Sequence, residues 1–169
     1  MMAAMQITSR VEFAAGVEEV FAMMTDRAYL EEVCQASHAI SYEAGVTGTT
    51  TRTTRKLPAP DMAQKFVGQT VTVNEETAWG PADASGARTG RTSMTIPGQP
   101  VSMKGSVVLA AGGLGTVAEL SGDLKVAIPI LGKKLEQSIA PTIVAGFRVQ
   151  QKIGDSWLAK EQERRGAGG

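Results

Sequence analysis

The opening segment "MQITSRVEF" alternates in polarity. Met5, Ile7, Val11 and Phe13 fall on one side, and Gln6, Thr8, Arg10 and Glu12 on the other. A period of two predicts a half-buried strand. In "AGVEEVFAMMTDRAYLEEVCQAS" the period lengthens: Val17, Val20, Phe21 and Met24 share one helical face, and Leu30, Val33 and Cys34 share another. Thr25–Asp26 separates the two, with Asp26 placed to cap the second helix. After Ser37 the period of two returns. It groups His38, Ile40, Tyr42 and Val46; then Val67, Val71, Val73 and Trp79; then Arg88, Thr92, Met94 and Ile96. Val101, Met103, Val107 and Leu109 follow, and last Ala118, Leu120, Leu124, Val126 and Ile128. "TTTRTTRKL" adds a threonine-rich strand, and "PAPD", "PADASG", "PGQP" and "GGLG" separate the runs as turns. Such short connections predict antiparallel neighbours, because parallel ones need crossovers of a dozen residues or more.

The last segment, "VAIPILGKKLEQSIAPTIVAGFRVQQKIGDSWLA", changes period once more. Leu131, Leu135, Ile139, Ile143, Val149, Ile153 and Trp157 form a stripe at helical spacing, flanked by Lys133, Lys134, Arg148 and Lys152. About thirty residues at 1.5 Å each make a helix of roughly 45 Å, against a body of roughly 40 Å for a chain of this length. Such a helix must cross the whole molecule, and only the sheet is large enough to cover its stripe. Pro141 either kinks this helix or breaks it at Ala140. The predicted class is α+β in the order β-α-α-β6-α, one domain over residues 1–160, with "RRGAGG" inside a disordered tail at 161–169.

Composition narrows the possible functions. Of 169 residues, 43% are hydrophobic, enough for a sizeable core. Lys plus Arg and Asp plus Glu each number 17, so no overall field draws nucleic acid or an anionic membrane. No apolar run reaches the ~18 residues of a membrane span, and the N-terminal segment lacks the pattern of a secretory signal. The single cysteine, Cys34, suits a reducing, cytoplasmic compartment.

Two stretches carry a family resemblance. With the order of elements, "IPILGKKLE" and "TRTTRKLP" resemble the START-like, helix-grip (SRPBCC-type) superfamily, and within it a mainly actinobacterial branch of unknown function. The resemblance covers roughly Met5 to Ala159. It implies a bent antiparallel sheet wrapped around the long C-terminal helix, with a cavity between them for a hydrophobic small molecule such as a lipid, polyketide or isoprenoid. The residues expected around that cavity are Tyr42, Val71, Val73, Glu75, Trp79, Met94, Met103, Ile139, Ile143 and Phe147. They form a mostly apolar set with a few polar groups, as small-molecule pockets do.

No catalytic motif stands out. No G-x-S-x-G elbow occurs, and "GGLG" joins two strands, so it reads as a hairpin turn and not a phosphate loop. No metal-ligand spacing is present, and no cofactor is expected. His38 is either a proton-transfer group or a strand-edge residue served by backbone or water. Cys34 reads as core packing. Glu75 and Arg88 could pair across neighbouring strands, or orient a polar headgroup, or reach solvent at strand ends. Arg52, Arg55 and Lys56 read as a solvated basic face. Three functions fit: a non-catalytic carrier, a cyclase- or dehydratase-type enzyme using Tyr42, His38 or Glu75, and a filled-core protein-interaction adaptor. Oligomeric state is left open.

Overall fold

The computed structural model describes residues 4–167. Strand β1 (Met5–Phe13) leads into helices α1 (Val17–Met24) and α2 (Arg27–Ala36). Six strands follow: β2 (Ser41–Thr47), β3 (Thr50–Pro58), β4 (Thr70–Trp79), β5 (Arg88–Thr95), β6 (Val101–Gly112) and β7 (Gly115–Val126). A 3-10 turn (Asp61–Ala63) and helix α3 (Gln64–Val67) interrupt them between β3 and β4, and α4 (Gly132–Ala167) ends the described chain. Asp26 caps α2 as its sequence position predicts, its carboxylate accepting from the Ala28 N–H at 2.8 Å.

The seven strands form one antiparallel sheet in the order β1-β7-β6-β5-β4-β3-β2. β2 through β7 pair with the next strand in sequence. β1, cut off by two helices, returns to pair with β7, in a register running from Met5 opposite Leu124 to Phe13 opposite Thr116. The sheet therefore has β1 on one edge and β2 on the other.

Helix α4 is 36 residues long, roughly 54 Å. It passes through Pro141 without ending. Pro141 and Gln137 are both exposed, so water can serve the Gln137 carbonyl that a proline nitrogen leaves unpaired. The backbone of α4 comes close to β1, β7 and α2, and far less close to β3, β4 and β5. Near its start, Glu136 is buried and accepts from the Val126 N–H at 2.9 Å, which ties the helix to the end of β7. Two apolar clusters hold the fold. One joins Phe13, Val20, Tyr29, Leu109, Phe147 and Leu158. The other joins Ile7, Met103, Leu124, Val126 and Leu135.

Several local expectations are corrected. Helix α4 runs past residue 160 to Ala167, where Arg165 bonds Glu19 at 2.8 Å and Gln162 donates to the Ala14 carbonyl at 3.2 Å. A packed helix extends readily once nucleated, so polar ties suffice where apolar residues run out. Residues 168–169 of the expected tail lie outside the described residues. Val67 belongs to α3 and not to a strand. Leu131, the first residue of the expected stripe, precedes α4 and is exposed. His38 sits before β2 in a turn with a φ of 61°, and both it and Ile40 are exposed, because the chain leaving α2 must reverse there.

Candidate functional site: a cavity between helix and sheet

Strand parity decides what faces α4. On β3 the inward positions are Thr51, Thr53, Arg55 and Leu57. Opposite them in register on β4 stand Thr77, Glu75, Val73 and Val71. β5 continues the rows with Thr92 opposite Thr77 and Met94 opposite Glu75, and β6 adds Met103 opposite Met94. Helix α4 supplies Leu135, Ile139, Ile143 and Phe147 from above, and α2 closes one side with Tyr29, Leu30, Val33 and Cys34. Because α4 packs closely only on β1 and β7, a cavity of about 200 Å³ opens over the β3–β6 side.

The structure places Val71, Val73, Glu75, Trp79, Met94, Met103, Ile139, Ile143 and Phe147 in the lining of this space. Tyr42 is not among them. It lies on the edge strand β2, where its hydroxyl meets the Gln35 side-chain amide outside the cavity. His38 is likewise absent from the lining, so of the three candidate proton-transfer groups only Glu75 lines this space.

The lining is mostly apolar, with one polar band on β3, β4 and β5. Thr51, Thr77 and Thr92 are buried in one row, and the Thr77 and Thr92 hydroxyls bond at 3.2 Å. Beside this row, Arg55 Nη2 donates to Glu75 Oε2 at 3.0 Å. The Arg55 side chain is 13% exposed, and its Nε is buried with no hydrogen-bond partner among the described residues. Arg55 is therefore not part of a solvated basic face. Nor do Glu75 and Arg88 pair. Arg88 makes two 2.8 Å bonds to Glu18 and lies 3.8 Å above the Phe21 ring. Bonding to Arg88 holds the Glu18 carboxyl below its ordinary range.

Cys34 is buried in the wall of the same cavity. Burial pushes its thiol pKa up, an effect that Arg55 opposes and Glu75 reinforces. Tyr29 is buried too, with its hydroxyl donating to the Gln150 carbonyl at 2.8 Å. Desolvation, with Asp155 and Glu32 nearby, pushes its phenol well above the usual tyrosine range. Among the described residues, no three histidine, cysteine or acidic side chains stand together as a metal site would require. Thr51, Thr53, Arg55 and Cys34 are among the lining residues that sequence reasoning missed. Parity could have found the first three, since they alternate with Arg52, Thr54 and Lys56 and lead to Leu57.

Residues 8–158 match a family described as protein of unknown function, DUF2505. The chain belongs to DUF2505. No curated protein matches it. Among solved structures it is similar to a protein of Thermus thermophilus, at 20% identity and a TM-score of 0.65, over 93% of this chain and 99% of the other. It is similar to a STAR-related lipid transfer protein of Xanthomonas axonopodis at 16% identity and a TM-score of 0.56, over 89% and 83%. It also resembles the di-domain ARO/CYC protein of the steffimycin biosynthetic pathway, at 12% identity and a TM-score of 0.65. That match covers 95% of this chain and 53% of the larger one. At these identities the likeness shows the fold alone, and the fold of this DUF2505 chain is a helix grip, an antiparallel sheet packed against a long C-terminal helix. No helix among the described residues is long and apolar enough to cross a membrane.

Proposed function

We propose that the protein binds one hydrophobic small molecule in the cavity between α4 and the sheet. The observation that carries this reading is the cavity itself, lined chiefly by apolar side chains and crossed by one polar band. Its volume bounds the guest. An apolar cavity of about 150 Å³ holds one benzene. About 200 Å³ therefore suits a molecule of one or two rings, or a short chain. A larger lipid requires α4 or its flanking loops to move. The similar folds of a lipid transfer protein and an ARO/CYC protein agree with an apolar guest. The equal numbers of acidic and basic residues favour a small molecule over nucleic acid, and the lone cysteine suits the cytoplasm.

Titration with the neutral, environment-sensitive dye 1-aminonaphthalene tests the reading. Saturable binding of one dye per chain, with a change in tryptophan emission that is lost in Trp79→Phe, is expected. A blue shift that never saturates, together with native mass spectra that never carry a small-molecule adduct, would leave the filled-core adaptor as the better account.

A further inference from the structure

Among the described residues five large apolar side chains are exposed, and three of them, Met62, Ile130 and Leu131, stand at one end of the molecule. Met62 lies in the 3-10 turn between β3 and β4, and Ile130 and Leu131 lie in the link from β7 to α4. One surface groove joins the two segments, bordered by Met62, Lys65, Leu131, Lys134 and Leu135. Lys65, Lys133 and Lys134 are exposed and form no ion pair among the described residues. Of the acidic side chains in the same segments, Asp61 is exposed, while Glu136 is buried and held by the Val126 N–H. We propose that this end of the molecule docks on an anionic lipid bilayer, with Met62, Ile130 and Leu131 entering the acyl boundary and the three lysines meeting the headgroups.

This docking goes beyond the proposed cavity function and stands whether or not the cavity takes a guest. Exposed apolar residues rimmed by polar ones mark a contact surface. Here the rim is cationic, which matches anionic headgroups, and lysine stems lie along apolar surface while their ammonium groups reach the headgroup layer. Ile130 singles out a bilayer over a protein. It is 95% exposed on a backbone with a φ of 72°. Strained residues of this kind cluster at functional sites. A side chain that protrudes so far enters acyl chains without the matching socket that a protein partner must supply. Equal totals of acidic and basic residues do not oppose the contact, because a surface potential falls off within a Debye length and acts on the nearest charges. Leu114 supplies the contrast. It is exposed on the β6–β7 turn, at the far end of the 12-residue β7, and its N–H donates to the Glu12 carboxylate at 3.2 Å.

Co-sedimentation of the full chain with two kinds of vesicle tests the proposal: phosphatidylcholine alone, and phosphatidylcholine mixed with phosphatidylglycerol. Binding to the mixed vesicles at low salt is expected, about tenfold or more tighter than to phosphatidylcholine alone and weakened by added salt. Lys133→Gln/Lys134→Gln should weaken binding to the mixed vesicles about tenfold or more. Ile130→Asn removes the apolar side chain and puts a residue suited to left-handed backbone in its place, and should weaken binding by about tenfold. Should that variant fail to fold, Met62→Gln carries the same expectation. Leu114→Asn should bind as the wild type does. The proposal is overturned by no binding to the mixed vesicles at low salt, by equal binding to the two kinds of vesicle, or by binding that survives the apolar and lysine variants or falls equally in Leu114→Asn. A dimer seen by light scattering and dissolved by Ile130→Asn, with no vesicle binding, assigns the patch to a second copy of this chain and overturns the proposal. Binding to polyglutamate in place of the mixed vesicles assigns it to an acidic protein, with the same consequence.

Discussion

Ile130 combines a φ of 72° with 95% exposure. A β-branched residue in the left-handed region is strained by about 1–2 kcal/mol, and here no burial offsets it. Glycine relieves the strain but loses more chain entropy on folding. Ile130→Gly should therefore leave stability unchanged or raise it by up to about 1 kcal/mol, read from the urea midpoint. A clear loss would mean that the isoleucine side chain has a partner. The Glu18–Arg88 pair carries a pH signature. The folded Glu18 carboxyl is depressed by its bond to Arg88, so its contribution is fully present above the ordinary carboxylate range and is lost as pH falls through the lower, folded value. Melting wild type and Glu18→Gln from about pH 6 to about pH 3 should show a gap that closes on acidification. A constant gap would trace the effect to packing. The same scale shows why Arg55 escaped a sequence reading. Arginine in a Thr-rich strand looks like a solvated charge, and only the partner strand supplies the carboxylate that lets it stay inside.

At the scale of elements, close approach between helix and sheet depends on glycine. A Cβ on Gly154 of α4 would lie 2.5 Å from Cε1 of Phe13 on β1. Phe13 is fully buried and cannot retreat. Gly154→Ala should cost about 1–3 kcal/mol by overpacking, measured by thermal or urea unfolding, and a neutral result would show that α4 can slide along β1. Within the sheet, a Cβ on Gly105 of β6 would lie 2.1 Å from the Ser121 carbonyl oxygen of β7. Its paired residue is Gly122, so these two strands meet where neither carries a side chain. Most elements were legible because each buries one face. Period two marked β1, β4, β5, β6 and β7, and period 3.6 marked α1, α2 and α4. The segment 61–67 was not legible as helical: two short turns bury little, and Val67 fitted the strand alternation that follows.

At the scale of the molecule, cavity and core should answer differently to truncation. Leu109 is fully buried and lies outside the cavity lining, so Leu109→Ala should cost about 2–5 kcal/mol. Ile143 is half-buried and faces the cavity, so Ile143→Ala should cost less than about 2 kcal/mol. Urea unfolding of both variants makes the comparison, and equal costs would argue that the space under α4 is filled. Adding volume should show the reverse asymmetry. Val73→Trp should weaken 1-aminonaphthalene binding while keeping the melting temperature within a few degrees, whereas a packed interior would lose about 1–3 kcal/mol.

The amino-acid sequence by itself determined the order of the elements apart from the short helical turns at 61–67, the antiparallel sense of the sheet and the helix that spans it. These follow from the period of apolar positions and the length of the turns, both of them local. It also indicated which face of β4, β5 and β6 turns inward, because parity needs only one buried face to be known. Only the tertiary structure decided that α4 packs on β1 and β7 but leaves space over β3–β6, that Tyr42 and His38 lie outside that space, and that Arg55 lies inside it beside Glu75. Those facts depend on register between strands distant in sequence and on where a long helix comes to rest. A stripe of isoleucines along α4 reads the same whether it faces a packed wall or a cavity.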